Sequence, residues 1–354
     1  MAWANVSIRL LLILLVTLCI AGSAQEVVPA PEYESLFNRR SGWTGADGTY
    51  SYILSDGSIL WSFSDTFIGE VVDGGHVDFE FVNNSHIIQV ADGLAFLKAP
   101  TFVPPDREGW YWMWDGTYDR EFQVLLGQFD KDAGGVFGFK QVGLWYASSR
   151  LHTDRLVVSE YVKLPFFERK QGKQLTFGSA VLREGAWDYI LGIQDDGPKR
   201  GCILARVPRG RMGLSGTWRF WNGADWVKDP WKAEIQFVGA SMESSVHRTR
   251  DGGYLYVGSF DTGGQVVARY ARSLTGPWSE PVEIYRAPQV TDDIFAYNAK
   301  AHPELSVDER ILVSYNVNTM SLERVVAEAD IYRPRFVWWT PKDKGWLPAI
   351  RVFR

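Results

Sequence analysis

GWTGADGTYSYILSDGSILWSFSDTF, residues 42–67, reads as one β-hairpin with an acid near each open end. The chain runs out through Thr49–Leu54, turns at Ser55-Asp56-Gly57 and returns through Ser58–Phe63. Asp-Gly between two β-rich runs is a strong hairpin signal, because glycine accepts the positive φ that the turn requires. Asp47 lies nine residues before Asp56, and Asp65 nine after it. Folding at the turn therefore brings the two carboxylates opposite each other or one position off. Opposed residues on paired strands sit roughly 4.5–5.5 Å apart, so the two acids form one candidate site.

The hairpin recurs. Its return strand, DGSILWSFSDT from Asp56, is echoed by DREFQVLLGQFD from Asp119 and GAWDYILGIQDD from Gly185. DGGYLYVGSFDT from Asp251 and DERILVSYNVNT from Asp308 complete the series, with starts 63, 66, 66 and 57 residues apart. Each copy is a turn, a strand of large apolar residues and a terminal Asp or Asn. Periods of this size in β-rich sequence indicate a propeller with one blade per repeat. The expected fold is all-β, a five-bladed β-propeller of four-stranded antiparallel blades. Long helical periodicity is absent, which excludes α/β alternatives.

Arg9, the apolar run Leu10–Ile20 and the small residues Ala21–Ala24 have the three-part pattern of a secretory signal peptide. The expected organisation is a signal peptide over 1–24, a leader strand or linker over 25–41 and a single catalytic propeller over 42–354. Export would then be to the periplasm or medium, with no membrane association after cleavage. Only Cys202 remains in the mature chain, so no internal disulfide can form and the core alone must hold the fold. The net charge of −5 argues against nucleic-acid partners. Aromatic residues make up 14% of the chain, with 16 Trp, which suits sugar recognition as well as an all-β core. A polysaccharide or oligosaccharide is the expected partner, and a monomer the expected state.

In a propeller the first strands surround a channel, and polar residues at their starts converge. Those candidates are Asp47, Asp115, Ser179, Ser241, Glu243, Asn298, Lys300, His302 and Glu304. Acids from different blades facing one funnel meet the needs of glycoside cleavage. One carboxyl must donate a proton to the leaving oxygen while another acts as base or nucleophile. Asp65 occupies the position filled in other repeats by Asp130, Asp196, Asp261 and Asn318, which is equally a place for structural turn-capping. No metal-ligand spacing, phosphate loop or nucleophile elbow is present, so neither a metal nor an organic cofactor is expected.

Three elements in order, Gly45-Ala-Asp47-Gly-Thr-Tyr-Ser51, Ser64-Asp65-Thr-Phe67 and Val82-Asn-Asn-Ser-His-Ile-Ile-Gln89, resemble the opening of the endo-D-arabinanase glycoside hydrolases. That family was long catalogued as a domain of unknown function. The resemblance is dense over about residues 42–90 and implies a five-bladed propeller hydrolysing arabinofuranosyl linkages of arabinogalactan or lipoarabinomannan. It also implies that Asp47 and Asp65 are the catalytic pair; Glu243, from its place at the start of a first strand, is expected as a third acid or a substitute for Asp65. Asn84, Asp115, Asn298, Lys300 and His302 would hydrogen-bond the sugar or tune the acids, and Trp43 and Trp114 would stack on it. Two alternatives share these residues. One is another five-bladed glycosidase acting on arabinose-, xylose- or anhydrogalactose-type substrates, with Asp47 as base and Glu243 as acid. The other is a non-catalytic carbohydrate-binding propeller.

Overall fold

A computed structural model describes residues 26–91, 93–134, 138–195 and 200–349. The proposed signal segment 1–24 and the repeat-terminal Asp196 lie outside the described residues. The chain is mostly β. Five antiparallel sheets follow one another along it. The first joins Tyr50–Ile53, Ile59–Phe63, Ser85–Val90 and Gly93–Phe96, and the second Trp110–Tyr118, Phe122–Lys131, Phe139–His152 and Arg155–Leu164. The third is built on Lys173–Glu184, Trp187–Asp195 and Arg200–Pro208, with short strands paired to its first and third strands. The fourth joins Ser244–Arg248, Tyr254–Ser259, Gln265–Ala271 and Val282–Arg286. The fifth joins Ile294–Val307, Arg310–Thr319 and Arg335–Thr340 to Glu26–Pro29 from the other end of the chain. All five repeated segments are second strands of these sheets.

The core lies between the sheets, because each strand alternates its apolar side chains onto both faces. Tyr50, Leu60 and Ile88 of the first sheet pack on Met113, Phe122 and Val124 of the second. Similar clusters join the second sheet to the third, the third to the fourth and the fourth to the fifth. Trp61 and Phe63 then meet Leu312, Phe336 and Trp338, which packs the fifth sheet on the first. Full burial of each such aromatic contributes roughly 1.5–3 kcal/mol. Because Glu26–Pro29 pairs with Arg335–Thr340, the start of the segment expected to be a leader over 25–41 is the outermost strand of the fifth sheet. It needs no disulfide to tie the chain ends together. The helix Pro31–Phe37 follows, and Phe37 is fully buried against Trp43, Trp61 and Phe336.

The decisive hairpin has the expected register. Tyr50 pairs with Ser62 and Ile53 with Ile59 around the Asp56-Gly57 turn. Beyond Tyr50 the pairing leaves the first sheet, yet Ala46 still faces Thr66 and Gly45 faces Phe67. The same two chain segments thus continue into a separate three-stranded side sheet, Ser41–Ala46, Thr66–Val72 and Gly75–Val82. Asp47 and Asp65 stand where the long hairpin passes from one sheet to the other. The break is enforced at Gly48, where φ is +80° and a Cβ would lie 2.8 Å from the Ser64 hydroxyl. Only glycine accepts both conditions without strain.

Candidate active site

The bend joins the two acids through the backbone. The Asp47 N–H donates to the Asp65 carbonyl at 3.2 Å, and the Ser64 N–H donates to the Asp47 carbonyl at 2.8 Å. Tyr297 donates its hydroxyl to Asp47 Oδ2 at 2.6 Å and accepts from the Asn318 amide at 3.2 Å. Tyr332 approaches the same carboxylate. Asp47 Oδ1 is buried without a hydrogen-bond partner. Burial, then the charges of Asp65 and Glu243, push the Asp47 carboxyl up to about 8, against the opposing pull of the two tyrosines. Asp65 Oδ1 accepts from the Trp112 indole at 2.7 Å and the Asn83 amide at 2.9 Å. Burial raises Asp65 to about 6, and those two donors hold it below its neighbour. Near neutral pH the pair therefore divides one proton, kept on Asp47, from one charge, kept on Asp65.

Glu243 sits at the start of the fourth sheet's first strand and is buried. Its Oε1 accepts from Asn298 and its Oε2 from the Lys300 ammonium, both at 2.8 Å. Lys300 is 2% exposed and lies 4.2 Å from the Tyr50 ring centroid. Asn298 turns its amide inward from a left-handed backbone, φ +54°, which asparagine tolerates. Five sequence-predicted residues thus gather at one end of the first strands: Asp47, Asp65, Glu243, Asn298 and Lys300.

A cavity of about 340 Å³ runs on from there between the first strands of all five sheets. Asp115 faces it, accepting from the Tyr52 hydroxyl at 3.0 Å and the Gly116 and Val181 amides at 2.7 Å. Burial raises Asp115 to about 6 despite those donors. Glu304, bonded by the Ser51 hydroxyl, is raised by burial to about 7. His302 is held between Ser51 Oγ at 2.6 Å and Ser314 Oγ at 2.8 Å, and burial lowers it to about 3. It is a neutral spacer with both ring nitrogens occupied, and has none left for a sugar. Among the described residues no group of three or more His, Cys, Asp or Glu side chains is disposed to hold a metal ion.

Three residues expected to touch sugar do not reach the mouth. Trp43 is buried between Phe37 and Phe63, at 5.5 and 5.0 Å between ring centroids. Trp114 is buried among Leu125, Phe129 and Leu144. Asn84 is fully buried and braces a loop: its Oδ1 accepts from the Thr101 and Phe102 amides, and its Nδ2 donates to the Phe102 and Tyr111 carbonyls. Asn84→Leu should therefore lower stability by about 2–4 kcal/mol, the cost of orphaning buried amides. A denaturant titration with unchanged m-value would show it. The residues that do meet the acids are close neighbours of these in the chain, Asn83 and Trp112. Side chains alternate along a strand, so the one-residue step from Asn84 to Asn83 exchanges core for site, whereas Trp112 shares the face of Trp114 and lies at its less buried end, both packing on Phe129. The W-Y-W-M-W run at 110–114 contained the signal for Trp112. Nothing local announced Tyr297 or Tyr332.

Comparison with known proteins finds solved structures that share this fold. A crystal structure from Bacteroides ovatus, described as that of a "putative hydrolase", superposes with a TM-score of 0.73 at 20% identity, covering 90% of this chain and 92% of that one. A GH43_1 enzyme from Xanthomonas citri superposes with a TM-score of 0.50 at 13% identity, covering 93% and 95%. At such identities the likeness establishes the fold, that of the GH43 propeller enzymes. In sequence, Notoamide biosynthesis cluster protein J' of Aspergillus versicolor is 31% identical over 129 residues, 35% of this chain and 34% of that protein. The match thus spans about a third of that relative's length. A family model described as Domain of unknown function (DUF5005) matches residues 31–341, nearly the whole of the five sheets, and the chain belongs to that family.

Proposed function

We propose that the protein is an exported glycoside hydrolase built as a five-bladed propeller, each of the five sheets being a blade. The reading rests on one observation: two partly buried aspartates are joined through their backbones at the hairpin bend, and their proton affinities are split. Asp47 serves as general acid. Its Oδ1 is buried and lacks a close hydrogen-bond partner, so it would carry the proton for the leaving glycosidic oxygen once substrate displaces its neighbours, and burial keeps that proton on it near neutral pH. Asp65, oriented by Trp112 and Asn83, serves as nucleophile or as the base that activates water. Glu243 is the weaker choice for the acid, because both its oxygens already accept hydrogen bonds. Its role is to supply a fixed negative charge that helps Asp47 keep its proton and to offset the positive charge that develops on the sugar ring.

The fold of GH43 neighbours supports a glycosidase. The three motif elements over residues 42–90 favour a furanoside, with D-arabinan of mycobacterial arabinogalactan as first substrate and endo action as the first mode. The apolar N-terminal run supports export to the periplasm or medium. The test is reducing-end release from arabinogalactan, arabinoxylan, galactan and levan by wild type and Asp65→Asn. Release by wild type and its loss in a folded Asp65→Asn would support the reading, whereas no release from any of the four would end it.

The split pair also fixes a pH profile. Asp65 must be ionised and Asp47 protonated, so kcat/KM should rise through about 6 and fall through about 8. The two limbs belong to the pair as a whole. A profile rising monotonically to pH 10 would remove Asp47 from the role of acid.

A further inference from the structure

The side sheet ends in a feature that the acid pair does not use. Gly75–Val82 is its edge strand, paired only with Thr66–Val72. A bulge between Ile68 and Glu70, with Asp78 at φ +45°, shifts the alternation along this strand. The bulge brings Phe79 and Phe81 against Phe67, at 5.0 and 4.7 Å between ring centroids. Phe67 is buried and itself packs on Tyr332, the tyrosine beside Asp47. Phe79 and Phe81 are nevertheless 38% and 42% exposed. The two strands touch so closely that a Cβ on Gly69 would lie 2.6 Å from Phe79 Cα, so the rings are held on a rigid support. Two residues beyond Phe81, Asn83 donates to Asp65.

We propose that Phe79 and Phe81 form a platform for a neutral polysaccharide chain leading out of the acid pair. This deepens the glycosidase reading and rests on it for the position of the cleaved bond. Two adjacent half-exposed rings, braced from behind by a third, suit the apolar C–H face of a sugar. Their continuity with the site, through Val82 and Asn83, makes the chain being cleaved the occupant. Charge selects its class. Lys300, the cation at the acid cluster, is committed to Glu243. Asp65 lies just beyond the platform, where Asn83 donates to it. A polyuronide would meet repulsion there and a neutral chain none.

Binding is measured apart from cleavage, by electrophoresis of Asp47→Asn protein through gels containing soluble arabinogalactan, arabinoxylan, galactan, levan or polygalacturonate. At least one neutral polymer should retard the protein and polygalacturonate should not. Phe79→Ala/Phe81→Ala should weaken that retention about tenfold, the loss expected for two aromatic contacts, while Phe81→Trp keeps it. Equal retention in the double alanine variant, at an unchanged melting temperature, would overturn the platform and leave the hydrolysis reading standing. Retention by polygalacturonate alone would overturn the neutral class. A doubled mass by light scattering that the alanine variant abolishes, with no retention by any polymer, would assign the strand to a second copy of this chain and overturn the proposal.

Discussion

Asp47→Asn is expected to lower polysaccharide hydrolysis about 10²–10⁴-fold, the usual worth of a general acid, and at the same time to raise the melting temperature. The second effect follows from proton linkage. Folding lifts the Asp47 carboxyl to about 8, well above the value of an exposed aspartate. A group raised on folding contributes stability that is fully present below its unfolded pKa and is lost as pH climbs through its folded one. Wild type is therefore penalised between about pH 4 and 8, and asparagine, which does not titrate, is not. The gain should be on the order of a few kcal/mol at pH 8, several degrees in Tm for a chain of this size. It should shrink to nothing near pH 4, where both states hold the proton. The asparagine oxygen can still accept from Tyr297, so the bend keeps its main contact. Calorimetry at pH 4.5 and 8 alongside the activity assay checks both halves. A variant less stable at both pH values would mean that Asp47 is a structural capping residue. A carboxyl retained at a cost to stability is the signature of a functional site.

The same residue marks how far sequence reasoning reaches. Asp47 and Asp65 could be set opposite each other because a hairpin's register is fixed by its turn, and the Asp56-Gly57 turn is local. The five second strands were legible for a related reason, since each is announced by a turn and a run of large apolar residues. Legibility ended where the pattern became non-local. The hairpin continues past its acids into a side sheet, and that continuation depends on Gly48 meeting Ser64 and on Gly69 meeting Phe79 across paired strands. Tyr297 and Tyr332 come from the far end of the chain, and no spacing rule ties them to Asp47. The tryptophans failed differently. Trp43 and Trp114 carry the right chemistry for sugar, but each falls on the strand face that packs between sheets. Composition cannot separate the aromatics of a core from those at its margin, so Trp112, Phe79 and Phe81, the partly exposed rings near the acids, had to be found in the fold.

Lys300→Met should destabilise the protein by about 3–5 kcal/mol, because it leaves the buried Glu243 carboxylate without its cation. The pair is as closed as any in the structure: 2.8 Å between Nζ and Oε2, with Lys300 2% exposed. In a chain of this length that is a fall on the order of 10 °C in Tm. Adding Glu243→Gln should recover much of it, since a neutral amide tolerates burial where an unpaired carboxylate does not. The double variant then separates two roles that a single substitution confounds. If Glu243 acts on Asp47 through its charge, the Lys300→Met/Glu243→Gln protein will fold but hold the Asp47 proton less tightly. The basic limb of its pH profile should move below about 8, with kcat reduced and not abolished. If Glu243 were itself the proton donor, the glutamine in the same folded protein would remove that limb and nearly all turnover. The Lys300 ammonium also helps to hold Asp115 down within the channel, so the single methionine variant should raise Asp115 as it unbalances Glu243. Its stability should accordingly fall more steeply with rising pH than that of wild type, because each carboxyl raised further on folding widens the window over which protons must be lost.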